Sequence, residues 1–230
     1  MLRRSDMNSV FVLGADTSVG KTAVSAGLLK AGLGHGDICY WKPIQTGTIV
    51  GSDTEEVRSL TGLSDENLIL ESVYRFADPM TAVLAAEKWG KSLELEAITA
   101  QFKKYKDEGK TLIIEGTGGI LAPLNEQYFQ ADLIQKLGCQ VIVVGEDRTG
   151  IVNQVLMTLR CAKEWNLNIV GVVLMNSRGN LGNAPAIDRF GGGVKVILEV
   201  PPMPEKRSLV AHLAASTELR KVLGVPVIPT

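Results

Sequence analysis

The chain has 230 residues, of which 45% are hydrophobic, 21% are charged and 5% are aromatic, and its formal net charge is −1. This balance is typical of a globular protein and excludes intrinsic disorder, collagen-like repeats and a coiled coil. A near-zero net charge also argues against nucleic acid as a partner, because proteins that bind the phosphate backbone need a basic face. The length favours one large domain, residues 1–230.

Cellular location is indicated by what the sequence lacks. No apolar run reaches the ~18 residues of a membrane-spanning helix. The apolar stretch Val10–Leu13 is too short for a signal peptide, so residues 1–9 are predicted to be a short tail before the first strand. No CxxC pair is present, which predicts reduced thiols and neither a disulfide nor a zinc site at Cys39, Cys139 and Cys161. Together these features predict a cytoplasmic protein without a membrane partner.

Short apolar runs alternate along the chain with segments of helical periodicity. The runs are rich in Val and Ile, like strands buried on both faces of a parallel sheet, and they are Val10–Leu13, Ile38–Trp41, Thr111–Ile114, Val141–Val144, Ile169–Leu174 and Val194–Val200. Helices are predicted at Lys21–Leu33, Thr81–Trp89, Leu93–Asp107, Phe129–Leu137, Asn153–Trp165 and Leu209–Leu223. This alternation predicts an α/β fold, an open and mostly parallel β-sheet of about seven strands with helices on both faces.

A loop that could bind phosphate follows the first predicted strand and opens directly into a helix. It comprises Gly14–Thr22, where Gly20 lets the backbone approach a phosphate and the helix N-terminus favours the anion. Lys21 can reach β- and γ-phosphate oxygens, and the hydroxyl group of Thr22 suits Mg²⁺. The common pattern G-x-x-x-x-G-K-[ST] would have glycine where this chain has Ala15. The alternative interpretation is a chance Gly-Lys-Thr at the start of a helix.

Charged side chains follow two further predicted strands. Lys42 follows the second run, with Asp53 soon after it, and Glu115 follows the third run. Because the carboxyl ends of parallel strands share one edge of a sheet, these groups are expected to face the phosphate loop. Asp53 and Glu115 with Thr22 would offer Mg²⁺ hard oxygens, and Lys42 would add positive charge near a transferring phosphoryl group. Each residue taken singly has an alternative interpretation. Glu115 could be a helix-capping or solvated carboxylate, and Lys42 could be an exposed surface lysine.

Further motifs continue this series in order along the chain. The full series consists of Gly14–Thr22, Trp41-Lys42-Pro43 with Thr46-Gly47, Ser52-Asp53, Phe76–Pro79, Glu115–Gly119, Asn153 and Asn176. Their order and spacing, from residue 9 to residue 204, resemble the motif series of the dethiobiotin synthetase family. The chain departs from the family pattern at Ser18, where many relatives carry an acidic residue or glycine, at Met80–Val83, and in the charged turn Glu146–Gly150.

The resemblance implies a P-loop NTPase-like fold and an ATP-dependent cyclo-ligase of biotin biosynthesis that forms C–N bonds. Members of the family close a urea ring on 7,8-diaminopelargonate with CO₂, through a carbamate and a carbamic-phosphoric anhydride. The implied cofactor is Mg²⁺, with ATP as co-substrate. The implied partners are the diamine, CO₂ and a second copy of the chain, in a homodimer whose substrate site lies at the interface.

The resemblance also implies roles for individual residues of this chain. Lys42 and Lys21 are implied to be catalytic, and Thr22, Asp53 and Glu115 are implied to hold the metal. The implied ATP-binding residues are Ser18, Val19, Gly20, Lys21, Thr22, Ala23, Asp53, Glu115, Gly116, Thr117, Gly118, Asn176, Ser177, Val200, Pro201, Pro202 and Met203. The implied substrate-binding residues are Thr17, Lys42, Thr46, Gly118, Gly119, Gly150 and Asn153.

Two other functions stay open at this level. A related P-loop amidase, such as a cobyrinate-type amide synthase, needs an ammonia source, and the sequence shows no candidate Cys–His pair for a glutaminase. A partitioning or regulatory ATPase would usually carry a second lysine early in the phosphate loop, where this chain has Asp16. The fold class is common to all three functions and does not decide between them.

Overall fold

A computed structural model describes residues 8–63 and 65–227. The strands in this part of the chain are β1 (Val10–Gly14), β2 (Ile38–Trp41), β3 (Ile44–Gln45), β4 (Ile69–Leu70), β5 (Tyr74–Arg75), β6 (Thr111–Glu115), β7 (Gln140–Glu146), β8 (Ile169–Met175) and β9 (Val196–Glu199). Seven of them form one parallel sheet in the order β4-β2-β6-β1-β7-β8-β9. The other two, β3 and β5, form a separate parallel pair. The predicted fold class is confirmed.

Helices connect the strands of the sheet. They are α1 (Lys21–Gly32), α2 (Asp53–Thr61), α3 (Ala82–Lys88), α4 (Leu95–Asp107), α5 (Gln130–Leu137), α6 (Ile151–Glu164), α7 (Asn183–Phe190), α8 (Lys206–Ala215) and α9 (Thr217–Leu223). None of the helices in the described ranges has the length and apolar character needed to cross a membrane.

The central strands are mostly apolar because both faces of the sheet are covered. In β1, Phe11 and Leu13 belong to one hydrophobic cluster, whereas Val10 and Val12 belong to the cluster on the opposite face. Successive side chains of a strand alternate between faces, so a strand between two helical layers favours apolar side chains on both faces. The chain becomes polar only where β1 ends, and this places the phosphate loop at the edge of the sheet.

Helix α1, which follows the phosphate loop, is covered by the two last helices, α8 and α9. A Cβ atom at Gly27 of α1 would lie 2.4 Å from Cβ of Leu213 in α8, so this glycine allows the two helices to approach closely. The buried guanidinium of Arg220 in α9 donates hydrogen bonds to the carbonyl oxygens of Ala31, at 3.3 Å, and Pro226, at 2.6 Å. Helix α1 is therefore held near its C-terminal end by residues almost two hundred positions further along the chain.

Several elements differ from the sequence-based prediction. The helix predicted at Leu209–Leu223 is two helices, because the side chain of Ser216 accepts a hydrogen bond from the backbone N–H of Leu219 at 3.3 Å and caps α9. Helix α2 was not predicted, although Ser52 caps it in the same way through Glu55. Helix α7 and the strands β3, β4 and β5 were also missed. Of the tail predicted at residues 1–9, residues 1–7 lie outside the described ranges.

Cys39, Cys139 and Cys161 are free thiols in this structure. Cys39 and Cys139 are buried, and burial raises the pKa of the Cys39 thiol to about 11 and that of Cys139 to about 12. Cys161 is half-buried, and burial raises the pKa of its thiol as well. Protonated thiols are poor nucleophiles and poor metal ligands, so these residues act as small apolar side chains of the core.

Candidate active site

A cleft of about 1010 Å³ opens at the carboxyl ends of β1, β2 and β6. Its lining includes residues 17–23 of the phosphate loop, Lys42 and Thr46 after β2, Asp53 at the start of α2, and residues 117–119 after β6. These are segments that the sequence placed at the mouths of neighbouring strands. The strand order β2-β6-β1 brings them together, because all three strands run in the same direction.

The phosphate loop has a backbone that only certain residues tolerate. Gly20 has a φ of +97° and caps α1. A Cβ atom at Gly14 would lie 2.8 Å from Nζ of Lys21, which in turn donates a hydrogen bond to the carbonyl oxygen of Asp16 at 3.2 Å. The lysine thus folds back over the loop across the space that glycine leaves at position 14. A Cβ atom at position 14 would also lie 2.4 Å from the backbone carbonyl oxygen of Asp16, and this contact requires glycine there.

A buried polar cluster lies beside the loop, where β2, α2 and β6 meet. Nζ of Lys42 makes ion pairs with Asp53 and, at 3.0 Å, with Oε1 of Glu115. The hydroxyl of Thr22 lies 3.2 Å from Oδ1 of Asp53 and 3.0 Å from Oε1 of Glu115, and Tyr40 donates a hydrogen bond to Oε2 of Glu115 at 3.0 Å. Lys42 is 5% exposed and Glu115 is 1% exposed, so the interpretations of a surface lysine and a solvated carboxylate are wrong.

The charges of this cluster stabilise one another. Burial alone would lower the pKa of the Lys42 ammonium, but the carboxylates of Glu115 and Asp53 outweigh it and raise that pKa. Burial would likewise raise the pKa of the Asp53 carboxyl, yet Lys42 lowers it overall. For Lys21 burial is the largest influence, and it lowers the pKa of the ammonium. Burial also raises the pKa of the Tyr40 hydroxyl, which therefore stays protonated as a donor to Glu115.

The donor set of the cluster suits a hard divalent cation. Thr22 contributes a hydroxyl and Asp53 and Glu115 contribute carboxylates, and Mg²⁺ binds such oxygens together with water and substrate phosphates. Within residues 8–63 and 65–227, no group of three or more His, Cys, Asp or Glu side chains could hold a metal by itself. The three residues fit Mg²⁺, and phosphate oxygens would have to complete its coordination.

The turn after β6 is shaped by Gln130, which sequence reasoning missed. Its side-chain oxygen accepts a hydrogen bond from the backbone N–H of Thr117 at 2.6 Å, and its amide nitrogen donates to the carbonyl oxygen of Gly119 at 3.0 Å. The hydroxyl of Thr117 donates to the carbonyl oxygen of Ile44 at 2.6 Å. Gln130 is 1% exposed. This burial is a property of the fold, and the sequence carried no signal that singled out this glutamine.

The remaining predicted site residues lie apart from the cleft lining. Asn176 and Ser177 follow β8, where Ser177 lies 2.6 Å from Oδ2 of Asp147 and 2.7 Å from Oε2 of Glu199. The segment 200–203 follows β9, and Gly150 and Asn153 lie at the start of α6. Gly116 is buried, and a Cβ atom there would lie 2.7 Å from the ring of Phe11, so its absent side chain serves packing.

The charged turn Glu146–Gly150 contacts the phosphate loop directly. Oδ2 of Asp16 accepts hydrogen bonds from Nε2 of Gln154 at 2.9 Å and from Nη2 of Arg148 at 3.3 Å. The pKa of the Asp16 carboxyl is lowered, mainly by the backbone N–H of Thr17 and then by Gln154. An ionised carboxylate with these partners stands where a partitioning ATPase would usually have a lysine.

The cleft is also lined by residues that sequence reasoning did not assign to the site. They include Gly47, Val50, Gly51, Glu56, Leu60, Pro79, Met80, Thr81, Ala82, Ala122, Pro123, Lys206 and Leu209. A signal for part of this set was present, because Ser52 followed three positions later by Glu55 is a helix-start pattern. A helix beginning at Asp53 places Glu56 and Leu60 on the same face as Asp53.

The comparisons with solved structures report on the fold. The chain is similar to the ATP complex of McdA from Cyanothece, with a TM-score of 0.66, 13% identity, and coverage of 98% of this chain and 100% of that one. A chain of the MinC:MinD cell division protein complex of Aquifex aeolicus gives a TM-score of 0.62 at 10% identity, with coverage of 97% and 98%. Identities this low show a shared fold alone.

The comparisons of sequence are closer. A family model described as an AAA domain matches residues 8–208. The ATP-dependent dethiobiotin synthetase BioD of Paramagnetospirillum magneticum is 36% identical over 198 residues, which cover 86% of this chain and 90% of that one. The BioD of Bradyrhizobium sp. is 30% identical over 217 residues, which cover 94% and 98%. At this identity over most of both chains, the protein belongs to the family of ATP-dependent dethiobiotin synthetases.

Proposed function

We propose that this protein closes the urea ring of dethiobiotin on 7,8-diaminopelargonate, with CO₂ and Mg-ATP, as a ligase of biotin biosynthesis. The observation that carries the proposal is the buried cluster of Lys42, Asp53, Glu115 and Thr22 beside the phosphate loop. The family to which the chain belongs supports the diamine as substrate. The cleft next to this cluster has a volume of about 1010 Å³, which is large enough for a small-molecule substrate.

In the proposed reaction no side chain acts as a covalent nucleophile. One amine of the substrate attacks CO₂ and loses a proton to give a carbamate, whose oxygen attacks the γ-phosphorus of ATP and releases ADP. The second amine then attacks the carbonyl carbon of the mixed anhydride, which releases inorganic phosphate and a second proton. Such a sequence requires reactants held in place and developing negative charge stabilised, and both can be supplied by fixed cations.

We propose that Lys42 and Lys21 supply the positive charge in this reaction, and the surroundings of the two lysines differ. Lys42 is held cationic by its two carboxylate partners and is therefore suited to stabilise the carbamate and the γ-phosphoryl group. Lys21 lies at the N-terminus of α1, where the backbone N–H groups of Gly20 and its neighbours favour phosphate oxygens. A bound phosphate would add counter-charge to Lys21, whose pKa is lowered in the free protein mainly by burial.

Mg²⁺ is the proposed metal, held by Thr22, Asp53 and Glu115, and when bound it would neutralise charge on the phosphate oxygens. Tyr40 orients Glu115 through its hydrogen bond to Oε2, which leaves Oε1 turned towards Thr22 and Lys42. We also propose that the substrate binds against the turn ordered by Gln130, next to Thr17 and Thr46.

A homodimer with a shared substrate site is also part of the proposal. Gly150 and Asn153 lie at the exposed start of α6, which is where a partner copy could receive them. One turn further along the same helix Met157 is 57% exposed, an apolar side chain that an interface would cover. For the adenosine moiety we propose the segments after β8 and β9, which include Asn176 and residues 200–203.

The test is release of phosphate from Mg-ATP with and without 7,8-diaminopelargonate and bicarbonate, combined with detection of the cyclic urea by mass spectrometry. We expect strong release that depends on the diamine, together with the urea product. Lys42→Ala should abolish this release while leaving nucleotide binding largely intact. Release that is indifferent to the diamine would reject the proposed substrate.

A further inference from the structure

One ion pair on the rim of the cleft has no place in the mechanism above. Nζ of Lys206, the first residue of α8, lies 2.7 Å from Oε1 of Glu56 in α2, and both residues line the cleft. The side chain of Lys206 is 72% exposed and that of Glu56 is 39% exposed. A pair this exposed contributes little to folding, so stability alone gives no reason for its position.

The position of the pair relates it to the phosphate loop. Helices α2 and α8 both pack against α1, whose N-terminus begins at Gly20 and Lys21. The pair joins α2 to α8 on the rim of the cleft that this N-terminus faces, and Leu60 and Leu209 line the cleft one helical turn further along the same two helices. A phosphate chain bound at the N-terminus of α1 would therefore lie in the cleft that this pair borders.

The chemistry of the two side chains differs towards such a ligand. A lysine ammonium on its flexible four-carbon stem forms charge-assisted hydrogen bonds with phosphate oxygens as readily as with a carboxylate. A diphosphate or triphosphate carries several negative charges, whereas Glu56 carries one. A nucleotide in the cleft attracts Lys206 and repels Glu56.

We propose that Lys206 is a further nucleotide-binding residue, which contacts a phosphate group of the bound nucleotide, and that Glu56 holds it at the rim while the cleft is free. This inference rests on the proposed binding of nucleotide at the phosphate loop and is independent of the diamine substrate. The two members of the pair then act in opposite directions. Lys206 adds affinity for phosphate, and Glu56 subtracts from it.

The experiment measures the affinity of the full chain for ADP by calorimetry, in EDTA so that no metal contributes. We expect Lys206→Ala to weaken ADP binding by about three- to fivefold and Glu56→Gln to tighten it by about two- to threefold, with both effects shrinking in high salt. Lys206→Arg should retain the wild-type affinity. Adenosine, which has no phosphate, should bind all variants equally.

A matched control pair lies on α9, where Nζ of Lys221 is 2.8 Å from Glu218. Lys221→Ala and Glu218→Gln make the same changes of charge away from the cleft lining, and we expect no change in ADP affinity from either. If the Lys206–Glu56 pair served only to hold α2 against α8, both cleft variants would change the affinity in the same direction and would lower the unfolding temperature alike. That result would overturn the inference, as would equal effects on ADP and adenosine.

Two measurements on the wild type, ADP binding and diamine-dependent turnover, distinguish the failure of this inference from the failure of the proposed function. ADP binding that is weakened in Lys21→Ala supports the nucleotide site, and the opposite signs of the affinity change in the two rim variants support the role of Lys206. Absence of diamine-dependent turnover would reject the proposed substrate and leave the rim result standing. A wild type that binds no ADP would overturn both.

Discussion

Replacing Lys42 by methionine tests the electrostatics of the buried cluster. The change keeps an unbranched side chain that is one atom shorter, and it removes the cation that contacts Asp53 and Glu115. Breaking a buried ion pair by removing one member costs about 3–5 kcal/mol, because the remaining charge is left uncompensated. Since the Asp53 side chain is 34% exposed, we take the lower end, about 3 kcal/mol. For a chain of this size that corresponds to a fall in Tm of about 6–12 °C.

The loss should depend on pH in a defined direction. Folding lowers the pKa of Asp53, so its stabilisation is complete above the ordinary value of 3.8 and is lost as the pH falls through the lower folded value. Folding raises the pKa of Lys42, so its contribution is complete below 10.5 and is lost as the pH rises through the higher folded value. In Lys42→Met the carboxylates have lost their counter-charge. Protonation of Asp53 then removes its uncompensated charge, and the deficit in the free energy of unfolding relative to the wild type should narrow as the pH falls.

A second consequence concerns Mg²⁺. In the free protein the Lys42 ammonium occupies the position between the two carboxylates, so a cation must compete with it. Lys42→Met should therefore gain more Tm from added Mg²⁺ than the wild type does, although its turnover is abolished. The measurement is thermal unfolding at pH 5 and 7, with and without Mg²⁺. The control is Lys195→Met, which removes an exposed lysine 3.9 Å from Asp188 and should change stability by less than ~0.5 kcal/mol. A deficit that is constant with pH, or equal gains from Mg²⁺, would refute the reasoning.

Three further variants test the loop and the covering of α1. Lys21→Ala should weaken Mg-ATP binding by roughly ten- to a hundredfold, because a charge-assisted contact is lost, and unchanged affinity in calorimetry would reject the role of Lys21. Gly20→Ala should lower the free energy of unfolding in urea by about 1–3 kcal/mol, because φ is +97° and the new Cβ would lie 3.0 Å from the side chain of Met175. A variant as stable as the wild type would contradict the loop geometry. Arg220→Ala should cost about 2–3 kcal/mol, seen as a lower urea midpoint, because the buried carbonyl oxygen of Ala31 loses its donor. A change below about 0.5 kcal/mol would show that water replaces the guanidinium.

The long buried strands could be predicted because their composition is decided by burial on both faces. β1, β6, β7 and β8 each contain an apolar run of at least three residues, and all were predicted within two residues of their ends. β4 has two residues, too few to form a pattern, and it is defined by pairing with β2. The missed break at Ser216 has another cause. Apolar residues continue at helical spacing through α8 and α9, but the extended backbone of Ser216 ends α8 and its side chain caps the start of α9.

The candidate site likewise contains residues that the sequence could predict and residues that only the fold reveals. The grouping of Thr22, Lys42, Asp53 and Glu115 could be anticipated because parallel strands bring their carboxyl ends to one edge. Tyr40 could not be identified, because it lies inside an apolar strand and its contact with Glu115 depends on the pairing of β2 with β6. Glu56 and Lys206 are 150 positions apart, and only the packing of two helices on α1 brings them together.

The covering of α1 by the last two helices also bears on the order in which the protein can assemble. The nucleotide motifs all lie before α8, yet the apolar side chains that cover α1, including Val210, Leu213 and Leu219, come after residue 208, where the match to the family model ends. During synthesis these residues emerge last among those described, so the helix that carries the phosphate loop has an uncovered apolar face until then. A nascent chain with every motif already made would therefore still lack a stable nucleotide site, and ADP would stabilise only the finished fold.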